Sequence, residues 1–315
     1  MIALTRAAAV LGCCLVLGCA AAERGATPPR SEPTFVFAAL GDTPYTADEE
    51  ARFIGMLAEL NRAKLAFVVH VGDFKSGQSE CSDELFRQRL EWFEYSRHPF
   101  VFVPGDNDWT DCWRGSAGGH QASERLEKLR ELFFAQPRSL GQRSIELARQ
   151  TQGASPQPYP EHARWAHRRV LFVTLNVPGG DNNFSRDRAE FRARDAAARS
   201  WLREAFRLAR AKKFGGVVIM MQANPWAAAG PRRHGFAPLL ETLLAETREF
   251  PGEVVLIHGD THRYRVDRPL VDPETRRRVP NFTRIEVYGS PNVNWVRVRI
   301  NETGGEMRFS AEPGS

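Results

Sequence analysis

The sequence contains no G-x-S-x-G elbow or other distinct nucleophile motif, which leaves a metal-independent, carboxylate-based hydrolase without its attacking group. Strong charge of either sign is also missing. The 43 Lys and Arg against 38 Asp and Glu give a net charge of +5, or +4 once residues 1–18 with their single Arg6 are set aside. The short basic runs, Arg276-Arg277-Arg278 and Lys212-Lys213, are not interleaved with aromatics, so they read as solvated turns or helix ends and no nucleic-acid patch is evident. The apolar run at the amino terminus, which follows one positive charge and ends at Gly18-Cys19, is too short for a spanning helix. Beyond Cys19 only two cysteines occur, Cys81 and Cys112. The rest of the composition, 42% hydrophobic and 26% charged, is that of an ordinary globular chain, long enough at 315 residues for one domain of about 280 residues or two smaller ones.

Residues 1–18 are expected to be a signal peptide, and Val16-Leu17-Gly18-Cys19 resembles a bacterial lipobox, in which the cysteine is lipidated and becomes the first residue. The expectation is export to the cell envelope as a periplasmic lipoprotein held to the membrane through Cys19, with plain secretion as the alternative. Residues 19–33, rich in Ala, Pro and small side chains, read as a flexible tether, and 34–312 as the folded domain. In an oxidising compartment Cys81 and Cys112 are an even pair, expected to form a disulfide between neighbouring loops.

Gly-Asp recurs behind apolar runs along the chain: Gly41-Asp42, Gly72-Asp73, Gly105-Asp106, Gly180-Asp181 and Gly259-Asp260. With 25 Gly and 13 Asp in 315 residues, chance composition predicts about one such pair. Strand-like runs cover 34–40, 65–71, 99–103, 168–175, 216–221 and 253–258. Helical spacing covers 47–61, with Phe53, Ile54, Leu57 and Leu60 on one face, 82–96, with Leu85, Phe86, Leu90 and Phe93, and 122–135, 187–211 and 235–249. Their alternation implies a mostly parallel sheet flanked by helices, with antiparallel strands from 283 onward and an inserted loop over 136–167. Strand ends that precede helices share one edge. There glycine lets the chain turn sharply, so that Asp42, Asp73, Asp106 and Asp260 converge over that edge, where four carboxylates cannot all stay ionised without a cation.

The order Asp42-x-x, Gly72-Asp73, Gly105-Asp106-Asn107-Asp108, Met221-Gln222-Ala223-Asn224-Pro225 and Gly259-Asp260-Thr261-His262 resembles the calcineurin-like metallophosphoesterase series over residues 34–265. The family reads D-x-H, G-D, G-N-H-[DE], a histidine after a strand, and G-H-x-H. The resemblance implies an αββα sandwich of mixed sheets flanked by helices. It also implies one or two divalent ions (Mn, Mg, Fe or Zn), and hydrolysis of a phosphate mono- or diester by a metal-held hydroxide, with a phosphorylated small molecule or phosphodiester as partner. Carried across residue by residue, Asp42 and His262 resemble ligands of the first metal and Asp73 the bridging carboxylate. Asp106, Gln222 and Asp260 stand at the remaining ligand positions. Asn107 stands in the place of the catalytic histidine, with Asp108 as its partner. Asn176, Asn224 and Arg263 are candidates for substrate binding.

Pro44, Asn107, Gln222 and Asp260 replace four histidines of the family pattern, so a site usually rich in imidazole becomes rich in oxygen, which favours Mg, Mn or Ca over Zn. An amide at 107 cannot act as a general acid. Lys75, Arg114 and Arg263 lie beside the motifs and either bind substrate phosphate or neutralise carboxylates in a site without metals. The second alternative is a catalytically degenerate envelope protein of the same fold that binds a ligand or another protein. His70 and His258, at strand positions, read as packed structural residues.

Overall fold

The structure, a computed structural model, describes Met1 and residues 33–151, 158–227 and 234–314. The leader, the lipobox with Cys19, and the tether up to residue 32 lie outside the described residues. Among the described residues no helix is long and apolar enough to cross a membrane.

From Ser31 the chain forms one compact unit. In order its elements are β1 (Pro33–Leu40), α1 (Ala47–Arg62), β2 (Val68–His70), α2 (Asp83–Glu94), β3 (Phe100–Phe102), α3 (Ala122–Phe133), β4 (Ala148–Gln150), β5 (Tyr159–His167) and β6 (Val170–Thr174). They continue through a single turn α4 (Gly179–Asn182), α5 (Arg188–Ala211), β7 (Gly216–Met220), α6 (Ala237–Glu249), β8 (Glu253–His258), β9 (Arg265–Asp267), β10 (Phe282–Glu286), β11 (Val296–Thr303) and β12 (Glu306–Pro313). Two short 3-10 turns, Thr110–Trp113 and Gly115–Ala117, precede α3. The strands make a five-stranded sheet, β12-β11-β1-β2-β3, and a seven-stranded sheet, β4-β5-β6-β7-β8-β10-β9.

Period-two alternation in doubly buried strands builds the layers. Phe37 and Ala39 of β1 join Phe67, Val69, Phe172, Val218, Met220, Val255 and Ile257 between the two sheets. Their neighbours Ala38 and Leu40 face the other way, against Phe53 and Leu57 of α1, Phe86 and Phe93 of α2, and Leu129 of α3. On the far face of the second sheet, Leu171, Val173, Val217 and Ile219 pack on Trp201, Leu202 and Phe206 of α5 and Leu239 and Leu243 of α6. The result is the helix-sheet-sheet-helix sandwich of mixed sheets implied by the motifs.

Register aligns the strand ends. β1, β2 and β3 are parallel, with Leu40 opposite His70 and His70 opposite Phe102. β7, β8 and β10 are likewise parallel, with Met220 opposite Ile257 and His258 opposite Glu286. The loops after β1, β2, β3, β7 and β8 carry Asp42, Asp73, Asp106, Gln222 and Asp260.

Two expectations are corrected. Residues 136–167 are not a loop throughout: β4 and β5 extend the second sheet, with Trp165 opposite Phe172 and stacked on it at 5.2 Å. Polar Glu161 and His162 are fully buried within β5, Glu161 against Arg130, and they mask its apolar alternation. After residue 283 the strands are not all antiparallel, because β10 runs parallel to β8 and only β11 and β12 form a hairpin beside β1.

Candidate metal centre

Asp42 and Asp73 are buried at the sheet edge, with Asp106 and Asp260 partly covered beside them. Neither Asp42 nor Asp73 caps a helix: Thr46 caps α1 and Ser82 caps α2. Asp42, Asp73 and Asp260 themselves take left-handed backbone, at φ 51°, 58° and 79°. Aspartate tolerates this region better than most residues, and such conformations gather at functional sites. Of the glycines preceding the four clustered aspartates only Gly72 has positive φ, so at the others a sharp turn is not the reason for glycine. Their function is room. A Cβ at Gly105 would lie 2.1 Å from Asp73 Oδ1, one at Gly259 2.1 Å from Asp42 Oδ2, and one at Gly72 2.7 Å from Gln222 Cγ. Each glycine thus admits a site side chain from a different motif.

Burial and mutual repulsion dominate the electrostatics. Asp42 is held well above the usual carboxylate range by burial and then by Asp260 and Asp106. Asp73 is raised by burial and then by Asp106, Asp108 and Asp42. Burial, with Asp260 next, takes Asp106 to about 7, and burial takes Asp260 to about 6. Among the described residues no Lys or Arg is ion-paired with any of these four; the one pairing is His262 Nε2 to Asp42 Oδ1 at 3.9 Å. Lys75 is buried but donates to the Ser76 and Ser79 carbonyls, and Arg114 pairs with Asp111. Neither is ion-paired with the four carboxylates, although the charge of buried Lys75 acts on Asp108 and Asp73.

The residues fit a hard divalent cation in chemistry. Asp42 Oδ1 and Asp106 Oδ1 are buried with no hydrogen-bond partner, and both are anionic oxygens of the kind such ions take. His262 Nδ1 lies 2.8 Å from the Ser290 carbonyl. A carbonyl only accepts, so Nδ1 carries the proton and the Nε2 lone pair faces the carboxylates, the tautomer a ligand needs. The donors are gathered without being closed: among the described residues no group of three acidic, imidazole or thiol side chains stands ready to hold an ion. Gln222 departs from its expected part as a ligand. Its Oε1 accepts from Gly179 N at 2.5 Å, and its Nε2 donates to Asp73 Oδ2 at 3.1 Å, so it offers the cluster a donor.

Asn107 reaches the site as expected. Its backbone N–H donates to Asp73 Oδ1 at 2.9 Å and its Nδ2 to Tyr45 Oη at 3.0 Å. Tyr45 was not singled out by the motifs, yet its hydroxyl lies 3.3 Å from Asp73 Oδ2 and 3.4 Å from His262 Nε2. The only signal was its place three residues after Asp42. Asp181, the fifth Gly-Asp, lies outside the cluster and accepts from Gly235 N.

Three expected site residues instead shape the loops. Asp108, expected as the acid partner of Asn107, is fully buried and accepts from the backbone N–H groups of Asp73, Phe74 and Gly105. It joins the loops after β2 and β3. Asn176 is fully buried and donates to Glu161, so it lines no substrate surface. Asn224 spends its amide on Thr261, Glu286, Arg284 and Trp226 N, while its backbone N–H donates to Asp260 Oδ2. Arg263 is exposed beside His262. Cys81 and Cys112 form the expected disulfide, tying the segment after Asp73 to the turn after Asp106. His70, buried and held neutral near 4 by desolvation, donates from Nε2 to Thr43 O and accepts Gly72 N at Nδ1, linking the first two loops. His258 is likewise buried, and burial lowers it to about 3.

The loop bearing Asp260 and His262 has an anchor absent from the motif reading. Glu286, fully buried at the end of β10, accepts from Thr261 Oγ1, from Arg263 N at 3.1 Å and from Arg265 Nε at 2.8 Å. Glu286→Gln is expected to destabilise the protein by about 1–2 kcal/mol, since a neutral amide replaces the buried carboxylate that accepts from Thr261 and Arg263, and to speed amide exchange at Thr261–Arg263. An unchanged melting temperature with unchanged exchange would remove Glu286 from this part.

A common edge, a carboxylate cluster supplied by successive Gly-Asp loops and a histidine on the last of them is the arrangement expected from the motifs, and the calcineurin-like phosphoesterase family matches residues 35–264. The chain belongs to that family. Two solved structures share its fold. The structure of PhoD aligns over 92% of this chain and 73% of its own at 12% identity, with a TM-score of 0.56. The purple acid phosphatase PPD1 of yellow lupin (Lupinus luteus) aligns over 91% of this chain at 11% identity, with a TM-score of 0.50, and this chain spans 52% of the lupin chain. Among curated proteins compared by sequence, none matches.

Proposed function

We propose that the protein is an exported, metal-dependent phosphoesterase that hydrolyses a phosphate mono- or diester at the Asp42–Asp73–Asp106–Asp260 edge. The observation that carries the reading is the carboxylate cluster with two unpartnered buried oxygens and, among the described residues, no lysine or arginine paired to it. Asp42, Asp73, Asp106, Asp260 and His262 are the residues that would hold one or two divalent ions, with Mg, Mn or Ca favoured by the oxygen donors and Fe or Zn as the other candidates. A bound ion would supply Lewis-acid stabilisation of the charge that develops on the phosphoryl oxygens.

The chain's own groups do the rest by orientation. Tyr45 and Asn107 stand hydrogen-bonded to one another beside Asp73, ready to donate to a phosphoryl oxygen. Gln222 fixes the Asp73 carboxylate, and Ser290 fixes the His262 ring. An amide at 107 gives no proton to the leaving group, so esters of acidic alcohols are the preferred substrates. The reading extends to localisation: the leader, the lipobox and the Cys81–Cys112 disulfide support an envelope lipoprotein anchored at Cys19.

Hydrolysis of p-nitrophenyl phosphate and bis-p-nitrophenyl phosphate, with Mg, Mn, Ca, Zn, Fe or no metal, tests the activity. Turnover that depends on added metal is expected; none above background with any ion would sink the enzyme reading. The second reading, a ligand-binding protein of this fold, is favoured by the Gln222 amide donor turned towards Asp73. Stoichiometric metal in protein purified without chelator would count against it.

A further inference from the structure

We infer that the turn Thr110–Trp113 just past Asp106, with the arginines around it, is a subsite for a second phosphate group, so that the favoured substrates carry two phosphates, as in a pyrophosphate or a bisphosphate. The inference rests on the phosphoesterase reading of the carboxylate edge and concerns what lies next to it. The chain leaves Asp106 directly into the turn Thr110–Trp113, with Asp111 N donating to Asp106 O at 2.9 Å. The disulfide from Cys112 to Cys81 pins that turn. Asp111 is one carboxylate shared by several cations: Arg114 pairs with it at 2.6 Å, and the charges of Lys75 and Arg186 also act on it. Lys75 Nζ is occupied by the Ser76 and Ser79 carbonyls, and Arg114 gives Nη2 to Asp111 and reaches the Gly77 carbonyl from Nη1 at 3.4 Å, so Arg186 is the more open of the two arginines at the surface.

Arg186 lies over the Trp113 ring, 3.4 Å from guanidinium carbon to ring centroid, and no acidic side chain among the described residues pairs with it. Trp113 is 44% exposed, unusual for so large an apolar ring, so the stacked pair stays at the surface. Stacking fixes the guanidinium plane and leaves its N–H edge for an anion. Arg114 Nη1 and Asn107 Oδ1 flank the same glycine: a Cβ at Gly77 would meet them at 2.4 and 2.7 Å. Arg114 therefore stands beside the residue proposed to donate to the scissile phosphate. A cationic rim against an all-acidic cluster suits a substrate whose first phosphate enters with a divalent ion and whose second is held by arginine forks.

The test uses the full folded domain with Arg114→Gln, Arg186→Gln and the double variant, none of which removes a proposed metal donor. Two readings are taken: phosphate release from inorganic pyrophosphate and from p-nitrophenyl phosphate, and calorimetric binding of methylenebisphosphonate and of orthophosphate, with Mn and in chelator. The expected result is a tenfold to hundredfold loss in kcat/KM for pyrophosphate in the double variant, with a change under threefold for p-nitrophenyl phosphate. Arg186→Lys should recover part of it. Equal losses on both substrates, or a wild-type protein that binds methylenebisphosphonate no better than orthophosphate, would overturn the subsite. If the wild type turns over neither substrate, the phosphoesterase reading fails, while arginine-dependent preference for the bisphosphonate would still uphold the subsite.

Discussion

Asp73→Asn is expected to raise the melting temperature of the protein in chelator and, in the same sample, to abolish its response to divalent cations and lower any metal-dependent turnover by more than about a hundredfold. The two effects share one cause. Without an ion, Asp73 is buried among Asp106, Asp108 and Asp42, which hold its carboxyl well above the ordinary range. A group raised on folding binds more protons in the folded state than in the unfolded one, so stability falls as pH rises through the interval between the two values. For Asp106 the interval runs from 3.8 to about 7, and for Asp260 from 3.8 to about 6. The penalty is absent below about pH 4 and complete above about pH 7. Replacing one carboxylate should recover of order 1 kcal/mol or more at pH 8, a rise of about 2–4 °C or more in Tm, and nothing at pH 4. The buried imidazoles act in the opposite sense. His70, lowered to about 4, keeps its full contribution above about pH 6.5 and loses it as pH falls towards 4. Thermal melts of wild type and Asp73→Asn from pH 4 to 8, with chelator or Mn, separate the two. A variant less stable than wild type at pH 8 in chelator, or one still stabilised by Mn, would refute the assignment of Asp73 to a cation.

Gly105→Ala and Gly259→Ala should each be worse for the site than for the fold around it. A Cβ at either position would enter the space of a carboxylate oxygen at 2.1 Å, Asp73 Oδ1 in one case and Asp42 Oδ2 in the other. Both carboxylates are also hydrogen-bonded in place, Asp73 by Asn107 N and by Gln222 Nε2 of another loop, Asp42 by Asp260 N at 2.9 Å. Relief therefore requires one loop to move away from another. Overpacking of this kind costs about 1–3 kcal/mol, and displacement of Asp73 or Asp42 should remove metal stabilisation altogether. Gly115→Ala, where a Cβ meets nothing within 4 Å, is the control and should leave both unchanged. Mn-dependent Tm shifts measured on the three variants decide. Normal Mn stabilisation in Gly105→Ala would show that the loops yield without disturbing Asp73.

The motif reading placed Asp42, Asp73, Asp106, Asp260, His262 and Asn107 at one edge because each lies just past a run whose apolar pattern marks a strand, and parallel strands end together. It went astray where a residue's partner is set by contacts that leave no local trace. Asp108 sits one residue past Asn107 yet turns to the amides of three other residues. Asn176 and Asn224 follow strands as the clustered carboxylates do, but are consumed by Glu161 and by Glu286, Thr261 and Arg284. Tyr45 and Glu286 carried no motif, yet the first lies against Asp73 and His262 and the second holds the loop that bears His262.

By itself the sequence determined the layered fold, the loops that bear carboxylates and the scarcity of imidazole, because alternation, helical spacing and Gly-Asp punctuation are properties of neighbouring residues. Only the tertiary structure decided which carboxylates meet, that Asp181 is not among them, that Gln222 offers its amide hydrogens, and that the glycines serve as room for one another's aspartates. Those facts join residues as far apart as Asp42 and Asp260. They follow from how two sheets stack face to face with their strand ends at a common edge, a relation no stretch of chain encodes on its own.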